Sequence, residues 1–242
     1  KIGELMPLIL GTNSIKDTGY DVANSCRFND GDSPELKRTN GSAGNRKTWT
    51  FSAWIKRGVL GTGQNFFSGG DDGGNTGGYT RIMFNGDDDI YLAHIVSGST
   101  ATEKQTDMKF RDTSAWYHIV WVLDTTQGTA SNREKLYVNG VQVTSFSTNT
   151  IPAEDFETEM NSDSTMFVGN QLGTWEFSDM MMAEVCFIDG QALAPTSFGE
   201  FDSDSPTIWK PIDVSGLTFG DNGFYLDFEQ DGTNTAFVDS GP

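Results

Sequence analysis

The sequence predicts an all-β protein, a sandwich of two antiparallel sheets, and two stretches carry this prediction. Residues 116–124, Trp-Tyr-His-Ile-Val-Trp-Val-Leu-Asp, place apolar side chains on both faces of a strand. That pattern is typical of a strand in the middle of a sheet that is covered above and below. Residues 136–143 contain Asn139-Gly140, which supplies the two positive φ angles of a type I′ turn. A buried strand followed by a hairpin favours antiparallel sheets.

The hairpin and the buried strand also predict which side chains form the core. In the register of a two-residue turn, four apolar residues share one face: Leu136, Val138, Val141 and Val143. In the preceding strand, Trp116 and Trp121 lie on opposite faces, and both are expected in the core.

Further elements are predicted from alternation and from turn residues. An alternating pattern indicates a half-buried strand, and Gly, Asn and Asp indicate turns. The predictions are two strands around Asp30-Gly31 in residues 21–38, a strand at residues 49–55, a hairpin at residues 81–96, a rim loop at residues 145–164, a helical turn at residues 192–201 and an edge strand at residues 224–228.

Length and composition fit one domain with a substantial core. The chain has 242 residues, 36% of them hydrophobic, with 17 Phe and 6 Trp, and sandwiches of this size often form undivided domains. The 28 Gly against 7 Pro suit many short strands joined by tight turns. We predict an N-terminal docking arm or linker at residues 1–19, the sandwich at residues 20–230, and a C-terminal tail or the start of a further segment at residues 231–242.

The chain is strongly acidic. It has 34 Asp and Glu against 16 Lys and Arg, a net charge of −18 that is spread over the whole sequence. Such a surface repels phosphate groups, so no nucleic acid and no anionic membrane is expected as a partner. No segment has the length and apolarity that membrane insertion requires. The acidity suits divalent cations or neutral surfaces, or it keeps a dense assembly soluble.

The two cysteines, Cys26 and Cys186, are too few for the disulfide framework of a secreted domain. Both lie in apolar strand patterns, where a free thiol behaves as a small buried hydrophobe. We therefore expect both side chains to be buried and reduced.

The order of these motifs resembles the laminin G-like, concanavalin A-like lectin/glucanase superfamily. The family pattern Trp-x-His-Val-x-x-x-x-Asp, then Leu-Tyr-Val-Asp/Asn-Gly-x-x-Val, is similar to residues 116–124 and 136–143. Three further strands of the family have counterparts at residues 49–56, 166–169 and 182–189. The resemblance covers roughly residues 22–200. It implies a jelly-roll form of the sandwich, in which the first and last strands of the motif set lie side by side.

Several segments also resemble virion proteins of marine bacteriophages that carry this kind of domain. Tyr20–Asp30 and Arg46–Arg57 are similar to the opening of such proteins, and Ala183–Leu193 and Asn222–Phe228 to later parts. The resemblance implies a virion protein, assembled in the host cytoplasm as a tail fibre, appendage or capsid decoration. Its expected function is to bind host-surface glycans during attachment.

Two other functions stay open because one fold hosts many. The first is a purely structural capsid or tail decoration module without glycan binding. The second is a glycan-cleaving hydrolase. A lectin binds glycans saturably without releasing reducing sugar, a hydrolase releases it, and a structural module does neither.

An apolar run near the N-terminus is the expected contact with partners. The run consists of Leu5, Met6, Leu8, Ile9 and Leu10. It has no place in the strand pattern and would be a liability if left exposed. We expect it to dock against identical copies, in a homo-oligomer such as a trimer, or against other virion proteins. The alternative is that residues 1–11 fold back over an edge of their own domain.

Three residues are candidates for carbohydrate binding. A sugar needs an exposed aromatic face for its C–H groups and planar polar groups for its hydroxyls. Tyr79 follows a glycine-rich loop, Trp175 lies in a Gly-Thr-Trp-Glu loop, and Asn170 precedes that loop. The alternative for each aromatic ring is packing beneath its own loop.

Acidic turns provide the metal candidates, with Ca²⁺ as the cofactor considered. Hard cations bind carboxylate and carbonyl oxygens gathered from turns. The candidates are Asp71, Asp72, Asp87 and Asp89. Their spacing lacks the glycine and the terminal glutamate of an EF-hand. The resemblance implies instead a rim site assembled from different loops, and ordinary acidic turns are the alternative.

The chain is not expected to be an enzyme. Asp227, Glu229 and Asp231 would share one face of a strand, as the carboxylates of retaining glucanases in the superfamily do. Their order there is Glu-x-Asp-x-Glu, however, and a solvated edge strand is the commoner explanation in so acidic a chain. His94 and His118 are expected to be hydrogen-bonded strand residues rather than bases or metal ligands.

Overall fold

The computed structural model describes residues 20–71 and 77–229. None of the helical segments in these residues has the length and apolar character to cross a membrane. The predicted arm at residues 1–19, the tail at residues 231–242 and the candidate ligand Asp72 lie outside the described residues. The described strands are β1 (Cys26–Phe28), β2 (Leu36–Thr39), β3 (Thr48–Arg57), β4 (Gln64–Asp71), β5 (Gly78–Phe84), β6 (Ile90–Val96), β7 (Ser99–Thr106), β8 (Tyr117–Asp124), β9 (Glu134–Val138), β10 (Val141–Gln142), β11 (Phe146–Asn149), β12 (Thr165–Val168), β13 (Met180–Asp189), β14 (Gly199–Phe201), β15 (Trp209–Pro211) and β16 (Phe224–Leu226).

The strands form two seven-stranded antiparallel sheets. The first has the order β1-β13-β3-β8-β9-β10, with β16 pairing beside β1 on β13, and the second has the order β11-β7-β6-β5-β4-β12-β2. β14 and β15 pair separately. Single 3₁₀ turns occur at Asp30–Asp32, Ala130–Asn132 and Pro195–Ser197. The predicted all-β, two-sheet antiparallel sandwich is confirmed.

The main core lies between the two sheets. β3 and β8, neighbours in the first sheet, contribute the fully buried Trp49, Phe51 and Trp121. Trp49 and Trp121 meet edge to face with 4.8 Å between ring centroids, and Phe51 stacks on Phe67 of β4 at 4.4 Å. Such aromatic pairs contribute about 0.5–1.5 kcal/mol each beyond burial. Aromatic side chains from both sheets therefore interlock across the sandwich.

Both apolar faces of β8 are covered by other parts of the protein. Ile119, Trp121 and Leu123 belong to the core between the sheets, whereas Val120 and Val122 belong to a second apolar cluster. The other buried members of this cluster come from β13 and from the chain that follows it: Cys186, Ile188, Phe198, Val214 and Phe219. The predicted two-sided strand is therefore confirmed, and the C-terminal quarter of the chain provides its outer cover.

Two predicted details of the fold are wrong, at Trp116 and at residues 145–164. Trp116 precedes β8 and is half-buried, since it lines an apolar cavity with Trp54 and Pro211 instead of lying in the core. The two strands predicted around Asp30-Gly31 are present as β1 and β2, and they join different sheets, where β1 pairs with β13 and β2 with β12. The predicted rim loop at residues 145–164 contains β11, which pairs with β7. Turn residues indicate where the chain bends, but not which strand the next segment joins.

The hairpin predicted at Asn139-Gly140 is confirmed. Asn139 has a φ of 48° and Gly140 a φ of 77°, and Val138 of β9 lies opposite Val141 of β10. Leu136 and Val138 are buried as predicted, whereas Val141 is 61% exposed. The burial prediction for Val141 is wrong because β10 is a two-residue strand at the end of its sheet, with no further strand beside it.

Replacing Gly140 by valine is expected to lower the free energy of unfolding by about 1–3 kcal/mol. A β-branched residue is strained at this positive φ, and its Cβ would lie 2.4 Å from ring carbons of Trp209. Chemical denaturation measures the change. Gly128→Val is the matched control, because a Cβ at Gly128 meets no atom within 4 Å. Equal denaturation midpoints for the two variants would contradict the prediction.

The two thiols are free, and only one is fully buried. Cys186 is buried, but Cys26 is half-buried, because β1 is a short strand at the edge of the first sheet. Burial raises the pKa of both thiols. β1 does lie beside β13, as the resemblance implies, yet Cys26 pairs with Met182, four residues before Cys186. This register holds the two sulfur atoms apart.

Candidate functional site

The candidate site lies on the outer face of the second sheet, where β5 presents polar and aromatic side chains. Alternation along β5 decides which side chains face outward. Thr80, Ile82 and Phe84 are fully buried, whereas Tyr79 and Arg81 remain half-buried on the opposite face. Residues two apart in a strand share a face. Tyr79 and Arg81 therefore lie on the same outer face of the sheet.

A cavity of about 280 Å³ forms where β5 meets the loop that follows β12. The side chains that line it include Tyr79, Arg81, Gln171, Trp175 and Glu176. Two of the three predicted sugar-binding residues, Tyr79 and Trp175, thus line one cavity although they are far apart in the sequence. Trp175 is 59% exposed, so its ring is available to a ligand rather than packed beneath the loop.

The loop that carries Trp175 is held in a tight turn. The Gln171 and Trp175 backbones exchange hydrogen bonds, N–H of Gln171 to O of Trp175 at 2.8 Å and the reverse at 3.1 Å. Leu172 and Glu176 have positive φ angles of 52° and 48°. The third predicted residue, Asn170, is buried beneath this turn. Its side-chain Oδ1 accepts from the Gly173 N–H at 2.7 Å, so Asn170 supports the loop and does not line the cavity.

Arg81 lines the cavity and contacts both polar and aromatic groups there. Its Nη1 donates to Oε2 of Glu176 at 2.7 Å and also to Oε1 of Gln171. Its guanidinium lies 5.8 Å from the ring centroid of Tyr79 and 5.4 Å from that of Tyr91, distances at which cation–π attraction operates. These contacts hold a planar cation, a carboxylate and an amide in fixed positions beside exposed aromatic surface.

Tyr91 continues the polar surface onto β6. Its hydroxyl donates to Oε2 of Glu103 at 2.5 Å. Burial and this hydrogen bond raise the pKa of Tyr91 to about 12. The phenol therefore stays a neutral donor at physiological pH, and its ring stays a fixed support for the Arg81 side chain.

The sequence patterns did not identify Arg81, Gln171 or Glu176 as residues of the site. A usable signal existed for Arg81, since it lies two residues from Tyr79 in a strand whose intervening residue is buried. Glu176 directly follows Trp175 in the sequence, and this neighbourhood was a signal for Glu176. Gln171 lies 90 residues from Arg81 in the sequence, and no local pattern predicts that contact.

The metal candidates do not form one site. Asp71 pairs with Gly78 at one end of β5, whereas Asp87 and Asp89 belong to the turn after the other end. Asp89 is fully buried, and its Oδ2 accepts from Nζ of Lys109 at 2.5 Å and from Nε2 of Gln105 at 3.2 Å. In residues 20–71 and 77–229, no group of three His, Cys, Asp or Glu side chains could hold a metal ion. Calcium binding stays a prediction without support from the described residues.

The carboxylate ladder predicted at the C-terminal strand is wrong. β16 ends at Leu226, before the first of the three carboxylates. Phe228 has a φ of 57°, so the chain turns, and the N–H of Glu229 donates to Oδ1 of Asp227 at 3.0 Å. Asp231 lies outside the described residues. The two described carboxylates therefore do not line up along a strand as a retaining glycosidase requires.

Both histidines are buried and hydrogen-bonded, as predicted. Nε2 of His94 lies 2.9 Å from Oε1 of Glu134 and its Nδ1 lies 3.0 Å from Oγ1 of Thr80. His118 lies on the other face of the first sheet, where its Nδ1 accepts from Nε1 of Trp209 at 2.9 Å. Neither histidine lines the candidate cavity.

The fold and the sequence motifs indicate a known superfamily of β-sandwich proteins. The family model described as the concanavalin A-like lectin/glucanases superfamily matches residues 30–195, more than half of the chain. The chain belongs to this superfamily. No curated protein matches the sequence significantly.

Several solved structures are similar to this chain at low sequence identity. The LG4-5 domains of the mouse laminin alpha1 chain are 13% identical with a TM-score of 0.50, over 84% of this chain and 47% of theirs. A heptameric pentraxin from Limulus polyphemus is 16% identical with a TM-score of 0.47, over 72% of this chain and 80% of its own. Domain 4 of an arabinanase from Geobacillus stearothermophilus is 20% identical with a TM-score of 0.41, over 63% of this chain and 65% of its own. The chain thus spans less than half of the laminin structure.

Proposed function

We propose that this chain is a lectin-like module that binds glycans in the cavity between Tyr79 and Trp175 and does not cleave them. The observation that carries the proposal is the position of the exposed Trp175 ring beside the Arg81–Glu176 pair. Sugars stack their C–H faces on aromatic rings and hydrogen-bond their hydroxyls to planar polar groups. The cavity offers both kinds of contact: Trp175 provides the ring, and Glu176 and Arg81 provide the planar polar groups.

The polar groups are fixed before any ligand arrives. Arg81 is tied to Glu176 and Gln171, so little side-chain entropy is lost when a hydroxyl binds between them. Guanidinium and carboxylate groups also make stronger hydrogen bonds than neutral groups do. Membership of a superfamily that contains lectins agrees with this use of the cavity.

The absence of cleavage is part of the proposal. Retaining hydrolysis requires two carboxyl groups about 5–5.5 Å apart across the sugar. Glu176 is the one carboxylate among the described residues that line the cavity, and it is paired with Arg81. The described carboxylates Asp227 and Glu229 lie in a turn instead of a cleft.

We place the module in a bacteriophage virion, where it binds host-surface glycans during attachment. This setting is supported by the resemblance of Tyr20–Asp30 and Arg46–Arg57 to virion proteins. Its partners there are identical copies or other virion proteins, reached through the apolar run Leu5–Leu10. Several linked copies raise weak single-site binding by about 10²–10⁴.

Trp175→Ala is expected to weaken glycan binding at least about tenfold, because a stacking surface is lost. The measurement is a glycan array with the full chain, followed by titration calorimetry on the glycans that bind. Trp175→Phe is expected to keep part of the affinity, since a smaller ring still stacks. Neither the parent chain nor the two variants are expected to release reducing sugar.

Phe201→Ala is the matched control, because Phe201 is an exposed aromatic residue (43%) on the separate β14–β15 pair. It is expected to bind as the parent chain does. Glycan binding that survives in Trp175→Ala would overturn the site. A chain that binds no glycan at all would favour the purely structural module, and release of reducing sugar would favour a hydrolase.

A further inference from the structure

We infer that the glycan site continues into a second, larger subsite that takes sugar units without negative charge, so that the ligand is an extended oligosaccharide. The inference rests on the proposed function and names its ligand class. The second subsite is a groove of about 700 Å³ lined by residues of β2, β4, β12 and the loops beside them. A groove of that size holds several sugar units, whereas the first cavity holds about one.

The groove and the first cavity are adjacent. Both are lined by Gly77, at the beginning of β5. The loop after β12 divides them: Leu172 and Thr174 line the groove, whereas Gln171 and Trp175 line the first cavity. A chain of sugars stacked on Trp175 would therefore reach the groove by extending past the loop or past Gly77.

The lining of the groove suits a hydroxyl-rich ligand. Thr39 and Thr165 bring their hydroxyl oxygens within 2.9 Å of each other, and those of Ser162 and Ser164 lie 2.6 Å apart. Phe167 lies two residues from Thr165 on the outward face of β12, while the residue between them is buried. Hydroxyl pairs beside an aromatic surface are the contacts that a second sugar unit uses.

Glycine at position 78 has a packing reason. Gly78 lies in both the strand and the groove wall, and a Cβ there would be 2.8 Å from Cγ of Glu159 and 2.9 Å from the backbone oxygen of Ile95. The Glu159 side chain therefore packs directly against this part of the groove wall.

The charge of the groove sets the class of ligand. Its described lining contains Asp71, Glu159 and Asp163 but neither Lys nor Arg. Arg46, outside the lining, offsets one of these charges through Nη2 at 2.9 Å from Oε1 of Glu159. Asp163 is exposed in the groove and the whole chain has a net charge of −18, so the field there is negative. Uronate or sulfated units would be repelled there, whereas neutral units would not.

The test compares oligosaccharides of one to six units with the full chain by titration calorimetry. The probes are neutral cello-oligosaccharides and N-acetylated chito-oligosaccharides, with oligogalacturonates as the anionic series. Affinity in a neutral series is expected to rise at least about tenfold from one unit to four. Oligogalacturonates of equal length are expected to bind at least about tenfold more weakly.

Asp163→Lys is the diagnostic variant, because Asp163 is exposed in the groove and is changed without disturbing the core. It is expected to reduce the discrimination against oligogalacturonates at least about threefold. Asp87→Lys carries the same charge change at an exposed position beyond the other end of β5 and is expected to have no such effect.

The outcomes separate this inference from the proposed function. Binding that depends on Trp175 but does not rise with chain length overturns the second subsite and leaves the first intact. Equal binding of the neutral and anionic series, or equal effects of Asp163→Lys and Asp87→Lys, overturns the charge selection. Failure of every oligosaccharide in the three series overturns the inference, and the glycan array with Trp175→Ala then decides the proposed function independently.

Discussion

Replacing Glu134 by alanine is expected to lower the free energy of unfolding by about 3–5 kcal/mol. Glu134 lies in the core, where its Oε1 accepts from Nε1 of Trp121 at 3.0 Å and lies 2.9 Å from Nε2 of His94. Its Oε2 lies 3.8 Å from Nζ of Lys104, whose side chain is also buried. Removing the carboxylate leaves two buried N–H groups without their acceptor. It also leaves the buried Lys104 ammonium without its counter-charge, although Nζ still donates to Oδ1 of Asn149 at 2.8 Å. The cost of such unpaired groups is large.

The ionised state of Glu134 supports this expectation. Burial alone raises the pKa of this carboxyl, but the hydrogen bond and charge of His94, together with Lys104 and Trp121, outweigh burial and hold the pKa below its usual value. The group is therefore a carboxylate at neutral pH, held in place by its partners.

Chemical denaturation of Glu134→Ala measures the effect, with Glu157→Ala as the matched control. Glu157 is a glutamate with 54% of its side chain exposed, in a surface pair 3.4 Å from Nη1 of Arg46. Such a pair contributes at most about 1 kcal/mol. A loss of stability in Glu134→Ala no larger than in the control would show that the buried carboxylate is dispensable. Glu134→Gln is expected to fall between the two, because the amide oxygen still accepts a hydrogen bond.

The stability of the protein is expected to fall by roughly 3 kcal/mol between pH 7.5 and pH 4.5 through His118 alone. Burial lowers the pKa of His118 to about 3. The indole N–H of Trp209 can only donate, so Nδ1 of His118 must accept and Nε2 carries the proton toward Oγ of Ser52 at 2.9 Å. A proton on Nδ1 would face the Trp209 N–H, a donor against a donor.

The direction of the effect follows from the two protonation states. The unfolded chain protonates this imidazole near its ordinary pKa of about 6.5, whereas the folded chain protonates it only near pH 3. Between these values the unfolded state binds one more proton than the folded state. The contribution of neutral His118 is therefore complete above about pH 6.5 and is lost as pH falls toward 3.

Denaturant titrations at several pH values measure this slope for the parent chain and for His118→Gln. The amide of glutamine retains an acceptor and a donor but has no proton to gain. The variant is expected to be less stable at pH 7.5 and to lose roughly 3 kcal/mol less than the parent between pH 7.5 and 4.5. Parallel stability curves for the two proteins would rule out His118 as the titrating group.

The sequence by itself determined the class of fold and its central parts. Residues 117–124 are apolar on both faces, and this local property requires cover on both sides whatever provides it. Asn139-Gly140 specifies its turn because positive φ angles are a property of these residue types. The half-buried Tyr79, which follows a glycine-rich segment, and the exposed Trp175 could also be found, because positions next to turns and loops are local features of the sequence.

Only the tertiary structure decided which segments meet. β1 and β2 follow each other in the chain yet join different sheets, and Trp116 leaves the core for an outer cavity. Arg81 joins Trp175 in one cavity through Gln171, a residue 90 positions away. Periodicity encodes the face on which a side chain lies but not the strand or loop that comes to lie beside it. That choice depends on packing and charge pairing over the whole sandwich, and these interactions exist only when the chain is folded.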